Sequence, residues 1–522
     1  MTDLPEFRLW HDPLEHWAAT QPDALCITYE DQQYTWGEWV DRVHRLAGAL
    51  RAAGVRRGDR VASLAANNVS TLEMTAAAAM LGAGHVIYNS RLIGEQLAYV
   101  LSDSSPRVLV LDVDLLEVFD QVRDDIPAID RIVHLGGDND EYQAFVAGGE
   151  AVDADPAVEP DDTVLVMYSS GTTGFPKGIE LTHHNMTMHS AASNDHFKFE
   201  PGVTGLVAMP LFHVGGSSFA QLVMYYGATS VLLKEVHPPT MFQWISRGAD
   251  RLFLVPSVVA AVLEAGDQAI ALFGKVKVFA YGASPMPLPL LRGALETWPD
   301  VDFMQVYGMT EFGGIVTILS PEAHRDAAHP ERLTSAGEPL PGIEARVVNP
   351  DTLQDVERGE TGELWFRTEQ SMKGYLNKPE ATAETITSDG WLRTGDLGRM
   401  DHGGFIYILD RLKDMIVTGG ENVYSPEVEN VIAAHPKVAE VAVLGVPHPK
   451  WVEAVHAVVV PKPGETIDPD DIIAFTKERL ASYKCPKTID VVEAMPRNTT
   501  GKILKRELRA RHSATAGDPL SA

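Results

Sequence analysis

The sequence predicts an α/β protein: a large N-terminal domain of mainly parallel sheets carrying a β-rich subdomain, then a small α+β C-terminal domain. Three observations predict it. Helix-patterned and strand-patterned segments alternate through about residue 320, which suits parallel sheets flanked by helices. From about 335 the texture turns strand-rich with tight turns. After Asp414 strands and helices mix again over roughly one hundred residues, the size of one domain. A chain of 522 residues is also too long for a single core.

In order along the chain, Trp39, Val40, Val43, Leu46, Ala47, Leu50 and Ala53 recur at helical spacing. GDRVASLAANN follows as a strand and polar turn, and LAYVLSDSSPRVLVLD repeats helix, turn and strand. IEARVVNPDT, GELWFRTE and GFIYILDRLKDMIV supply the β-rich region. SPEVENVIAAH opens a helix with Ser425 as its expected N-cap and Pro426 at the first helical position. VAEVAVLGV, VHAVVV and TIDVV read as strands, with DDIIAFTKERL as a helix. The expected division is 1–409, a short junction at 410–413, then 414–511, with 512–522 as a disordered tail. No internal repeat is visible.

Hydrophobic residues make up 45% and charged residues 22%, ordinary for a globular enzyme. A formal net charge of −29 disfavours nucleic acid and anionic membranes as partners. Cys26 and Cys485 lack metal or CxxC spacing, so a reducing compartment fits and the cytoplasm is the expected location. No apolar run is long enough for a membrane span, and the start lacks a basic segment followed by an apolar one.

Residues 168–178, YSSGTTGFPKG, follow the strand-like TVLVM. Glycine lets backbone amides approach a ligand, hydroxyls add donors for phosphate oxygens, and Lys177 adds one charge. The spacing is not that of a Walker loop, because Gly174 is followed by Phe175, Pro176 and Lys177. On its own the segment is either a surface turn or a different nucleotide-binding device.

It is not alone. PLFHVGG (210–216), YGASPMP (281–287), QVYGMTE (305–311), GWLRTGDLG (390–398), DRLKDMIVTGGE (410–421) and PRNTTGK (496–502) follow in order. With them the chain resembles, over nearly its whole length, the adenylate-forming superfamily of acyl-CoA synthetases, luciferases and peptide-synthetase adenylation domains. The resemblance implies an acid–thiol ligase that uses ATP, Mg²⁺ and coenzyme A. A carboxylate attacks the α-phosphate to give an acyl-adenylate, and a thiol then displaces AMP.

By that resemblance Ser169, Ser170, Gly171, Thr172, Thr173, Gly174 and Lys177 hold the β- and γ-phosphates. Thr310 contacts the α-phosphate and Glu311 binds Mg²⁺. Tyr307 stacks on adenine opposite Gly282, Ala283 and Ser284, and Asp396 takes the ribose hydroxyls with Arg411 nearby. Read singly, Glu311 would be a solvated loop acid, Tyr307 a core tyrosine and Asp396 a turn residue. Lys502, otherwise an exposed lysine beside a basic helix, bridges the attacking carboxylate and the α-phosphate. The resemblance also makes the C-terminal domain mobile, hinged at Lys413 in the 410–413 segment. It swings away to admit the thiol past Gly419, Gly420, Glu421 and Asn422, with Lys484 on the CoA side.

The chain departs from the family at His448 and Val452, where Asp and Gly are usual. His213, Val214, Gly215, Gly216, Ser217, Gly308 and Met309 are the expected acyl-pocket residues, with a structural role for His213 as the rival reading. These segments show no ionic handle, which suits a hydrophobic acid: a medium- or long-chain fatty acid or a bulky apolar one. His183, His184 and His189 form no HExxH-like motif and read as helix-start and packing residues. Rival activities on the scaffold are loading of a carrier protein, luciferase-like oxygenation and non-catalytic binding. The assembly is open, a homodimer being one form.

Overall fold

The structure is a computed structural model that describes residues 4–138, 140–169, 175–284, 286–497 and 503–515. Contacts divide the chain into two compact units. One comprises Met1–Glu344 and Phe366–Leu392, the other Ala345–Trp365 and Arg393–Ala522. Thus 345–365 and 393–409, read from sequence as part of the N-terminal domain, cluster with the C-terminal residues.

The first unit contains two mainly parallel sheets. The larger has nine strands in the order Glu338–Pro339, Gly314–Leu319, Asp302–Met309, Val278–Tyr281, Arg251–Leu254, Thr204–Val207, Thr229–Leu232, Leu25–Tyr29 and Gln32–Thr35. Its six middle strands, from Asp302–Met309 to Leu25–Tyr29, pair in parallel. The second sheet has seven strands: Gly374–Tyr375, Lys177–Thr182, Thr163–Ser169, Gly84–Ile87, Arg60–Leu64, Val108–Asp112 and Arg131–Leu135.

Helices fill the space between the sheets. Every residue of Val69–Met80 is buried, and this helix lies on the seven-stranded sheet. Val214–Tyr225 lies on the nine-stranded sheet, while His183–Phe197 touches Lys177–Thr182 of one sheet and Gly314–Leu319 of the other. A helix buried on all sides, as Val69–Met80 is, cannot show amphipathic periodicity, which is why it reads poorly from sequence. The one acid of that helix, Glu73, is neutralised by Arg42 at 2.6 Å and accepts from Tyr142 Oη at 2.7 Å. The 39–54 pattern is realised as the helix Trp36–Ala52, started by a reciprocal cap between Thr35 and Glu38.

The second unit holds a four-stranded sheet ordered Glu344–Val348, Thr361–Arg367, Leu392–Met400 and Ile406–Arg411. It also holds a five-stranded sheet built on the long antiparallel pair Val438–His448 and Val452–Pro461. Two expectations are corrected here. The helix Ser425–Ala433 has Tyr424 at its N-cap position without a side-chain capping bond, and Ser425, its first residue, donates from N (2.7 Å) and Oγ (2.9 Å) to the buried Asp410 carboxylate. Burial raises the pKa of Asp410, opposed by Lys505. The last helix, Lys505–Thr515, runs into the stretch expected to be a disordered tail.

Candidate active site

The glycine- and hydroxyl-rich segment joins two antiparallel strands, Thr163–Ser169 and Lys177–Thr182, in which Ser169 faces Lys177. Ser170, Gly171, Thr172, Thr173 and Gly174 lie outside the described residues, so the structure positions the two ends of the loop, Ser169 and Lys177. The Lys177 ammonium sits 4.6 Å from the centre of the Tyr375 ring.

The same tyrosine reaches the other sheet. Tyr375 lies on the edge strand Gly374–Tyr375, paired with Lys177–Thr182, and its hydroxyl donates to Glu311 Oε1 at 3.0 Å. Met372 N donates to the Glu311 carbonyl at 2.7 Å. Glu311 and Tyr375 are each only 8% exposed. Burial, with Glu311 second, raises the Tyr375 pKa well above its ordinary value, so the phenol stays a donor. Lys177, Tyr375 and Glu311 therefore form one cation–ring–carboxylate chain. Sequence reading missed Tyr375: SMKGYLNKP carries no sign that its hydroxyl meets a carboxylate from another sheet.

Glu311 and Thr310 belong to a 3₁₀ turn, Thr310–Phe312, just past the carboxyl end of the strand Asp302–Met309. In that register Tyr281 lies beside Gln305, so Gly282, Ala283 and Ser284 leave the sheet next to Val306 and Tyr307. Ligands of open α/β sheets bind at such carboxyl ends. A Cβ on Gly282 would lie 2.5 Å from the Val306 carbonyl oxygen, and one on Gly308 1.8 Å from that of Gly314. Glycine is required at both because backbone meets backbone. Ala283 holds φ +63, a conformation that non-glycine residues rarely adopt and that concentrates at functional sites. Pairing with Gly314–Leu319 shifts register between Tyr307 and Gly308, a bulge that re-aims the strand. Tyr307 is half-buried, its ring 6.2 Å from Phe366.

The segment read as the acyl side begins the helix Val214–Tyr225, with His213 at the N-cap. His213 Nε2 is buried and has no hydrogen-bond partner among the described residues. Burial, then Arg91, lowers the pKa of this ring to about 4, so it is neutral at physiological pH. Gly215 packs toward Phe253, to which an added Cβ would come within 3.0 Å. Gly216 is small for a backbone reason: its Cβ would lie 2.2 Å from the Pro210 carbonyl oxygen. Ser217 is buried and its hydroxyl donates to the Leu211 carbonyl. Met309 is half-buried. His183 and His189 are packing residues: Nδ1 of the first accepts from Trp10 N at 2.9 Å and Nε2 of the second from Ile315 N at 3.0 Å.

In the second unit Asp396 is buried and Arg411 Nε donates to its Oδ1 at 2.8 Å, as the two residues face across paired strands. Lys413 lies in the turn after Arg411, its pKa lowered first by partial desolvation and then by Arg411 and Arg509, against the opposing pull of Asp414 and Asp396. Gly419 and Gly420, at φ +61 and +89, form a two-residue hairpin between Ile416–Thr418 and Glu421–Val423, and Glu421 and Asn422 are exposed on its return. Lys484 donates to both Glu427 oxygens at 2.7 Å, which raises its pKa against a desolvation that lowers it. Val452 adopts φ +72, the region where the family's usual glycine is at ease. Lys502 lies outside the described residues.

A family profile described as AMP-binding enzyme matches residues 14–376, and one described as AMP-binding enzyme C-terminal domain matches 427–502. The chain belongs to the AMP-binding enzyme family. It is an ATP-dependent acid–thiol ligase of the adenylate-forming superfamily. The fatty acid–[acyl-carrier-protein] ligase ScoC of Streptomyces coeruleorubidus is 35% identical, across 98% of this chain and 96% of the relative. The feruloyl-CoA synthase of an Amycolatopsis species is 36% identical, across 95% and 97%. Among solved structures, o-succinylbenzoate CoA synthetase (MenE) of Bacillus subtilis with its acyl-adenylate intermediate aligns at TM-score 0.85 and 31% identity, across 97% and 99% of the two chains. The fold and the family expected from the sequence motifs both hold.

Proposed function

We propose that this AMP-binding family member is an AMP-forming acyl-CoA synthetase for a hydrophobic carboxylic acid, a medium- or long-chain fatty acid or a bulky apolar acid. One observation carries the phosphate chemistry: Lys177 and the buried Glu311 are held at the two ends of one tyrosine, Tyr375. In the first step a carboxylate oxygen attacks the α-phosphorus, the bond to the bridging oxygen breaks and pyrophosphate leaves. In the second a thiol attacks the acyl carbonyl and AMP leaves.

Both reactants of the first step are anionic, so preorganised cations and donors matter most. Lys177 and Ser169, with Ser170, Gly171, Thr172, Thr173 and Gly174, bind the β- and γ-phosphates, Thr310 orients the α-phosphate, and Lys502 offsets charge on the attacking oxygen. Gly282, Ala283, Ser284 and Tyr307 hold adenine, and Asp396, aligned by Arg411, accepts from the ribose hydroxyls. Glu311 fits Mg²⁺: it is an oxygen donor whose second oxygen is oriented by a hydroxyl, and one carboxylate suits an ion that keeps water and phosphate ligands. When bound, that ion neutralises phosphate charge. The hinge at Lys413, the CoA side at Gly419, Gly420, Glu421, Asn422 and Lys484, and the acyl side at His213, Val214, Gly215, Gly216, Ser217, Gly308 and Met309 belong to the same proposal. A neutral His213 beside apolar packing supports an uncharged acyl group.

A second reading, transfer to a carrier protein's pantetheine, is favoured by the similarity to a fatty acid–carrier ligase and by the departures at His448 and Val452. The test is release of pyrophosphate and AMP over a panel of carboxylates with ATP and Mg²⁺, adding nothing, free CoA or a holo acyl carrier protein. Turnover with free CoA and an apolar acid is the expected result. Turnover with the carrier alone would replace the first reading with the second, and turnover with polar, charged acids only would overturn the substrate class.

A further inference from the structure

The second unit contains a group of side chains that nucleotide and acyl chemistry leave without a task. His456, on the strand Val452–Pro461, is fully buried. Asp490 lies on the neighbouring parallel strand Thr488–Val491, and His512 on the last helix, Lys505–Thr515. His456 Nε2 is 3.4 Å from Asp490 Oδ2, and His512 Nδ1 is 3.6 Å from the same oxygen. The three ligand atoms all lie within 4.8 Å of one another. The two imidazole centroids are 4.2 Å apart.

We propose that His456, Asp490 and His512 form a Zn²⁺-binding site that clasps the C-terminal helix to the five-stranded sheet. Zinc–ligand bonds of roughly 2.0–2.1 Å in a tetrahedron put neighbouring ligand atoms about 3.3–3.4 Å apart. The observed 3.4 and 3.6 Å match that edge closely. The outer contacts match too. His456 Nδ1 is 2.7 Å from Thr488 Oγ1, so that nitrogen is engaged by a hydroxyl, the arrangement that fixes the tautomer of a ligating histidine. Its Nε2 is buried and, among the described residues, has no partner in good hydrogen-bond geometry, while the Asp490 carboxylate oxygen stands 3.4 Å away. A cation between the two satisfies both the nitrogen lone pair and the carboxylate.

Two imidazoles and one carboxylate suit zinc and leave a fourth position for water. The site is unrelated in chemistry to Glu311, whose single hard carboxylate suits Mg²⁺. The competing arrangement is a shared proton, with Asp490 accepting from two imidazoles.

The experiment titrates Zn²⁺ into the untagged, chelator-treated full chain against a chromophoric indicator, with Co²⁺ absorption as the report on geometry. Expected are one equivalent bound per chain, a four-coordinate Co²⁺ spectrum, and a Zn²⁺-dependent rise in Tm. Asp490→Asn at an exposed position and His512→Ala at a partly buried one leave the buried His456 in place, weaken binding by at least about tenfold and abolish the Tm rise. Zinc affinity unchanged in both variants, or no saturable binding by the wild type, would overturn the proposal in favour of the shared proton.

Discussion

Replacing Tyr375 by phenylalanine separates two contacts made by one side chain. The ring, and with it the Lys177 contact at 4.6 Å, stays. The hydroxyl that donates to Glu311 Oε1 at 3.0 Å is lost. Hydrogen bonds to a charged group contribute roughly 1.5–3 kcal/mol, and each 1.4 kcal/mol is a factor of ten. At 8% exposure Glu311 has little solvent to replace the lost donor, so the upper half of that range applies. The expected loss in kcat/KM for adenylate formation is therefore about 40-fold to 140-fold. The assay is acid-dependent exchange of labelled pyrophosphate into ATP across a range of Mg²⁺ concentrations, with circular dichroism to confirm folding. The Mg²⁺ concentration for half-maximal rate should rise as well, because the carboxylate loses its orientation. A folded Tyr375→Phe protein with wild-type exchange and wild-type Mg²⁺ dependence would refute the assignment of Glu311.

Three other outcomes follow from the account. Lys502→Ala should cripple adenylate formation yet convert supplied acyl-adenylate and CoA to thioester; equal loss of both half-reactions in folded protein would contradict its role. Val452→Gly should raise stability by about 1 kcal/mol in denaturant unfolding, since a β-branched residue at φ +72 carries left-handed strain that glycine escapes; an unchanged midpoint would show the backbone is relaxed there. The buried His189 and His324, each with its pKa lowered to about 4 chiefly by burial, bind protons more readily unfolded than folded. Their depressed folded pKa values make stability full above about pH 6.5 and erode it progressively as pH falls toward about 4, so urea midpoints should drop across that window. Midpoints that stay level from pH 7 to about pH 4 would count against the buried neutral rings.

Much of this was legible in the sequence, and what was not has identifiable causes. Alternating helix and strand patterns gave the α/β class because parallel strands and their covering helices follow one another along the chain. The motif segments drew attention to Glu311 and Gly282, which lie in short turns just past strand ends, and to Lys177 and Asp396, which lie on the strands Lys177–Thr182 and Leu392–Met400. Tyr375 stayed hidden because its partner Glu311 belongs to the other sheet and its strand is only two residues long. Contacts group 345–365 and 393–409 with the C-terminal residues through long-range pairing, such as Gly359 N to Met400 O at 2.8 Å, which periodicity cannot display. Ser425 and Pro426 looked like a cap followed by a first turn, but a buried carboxylate at Asp410 claims the serine. The sequence does not display that Gly216 is held small by the Pro210 carbonyl or that the Ser217 hydroxyl donates to the Leu211 carbonyl. His456, Asp490 and His512 are too scattered to form a motif, and only the fold assembles them.

The central claim is an acyl-adenylate formed by attack of carboxylate oxygen on the α-phosphorus. Supplying an active acid labelled with ¹⁸O in its carboxylate, with ATP, Mg²⁺ and CoA, and weighing the products by mass spectrometry tests it directly. The account predicts one labelled oxygen in AMP and none in pyrophosphate. Label in inorganic phosphate or pyrophosphate, with AMP unlabelled, would mean that the acid attacks elsewhere and that the adenylate is not the intermediate.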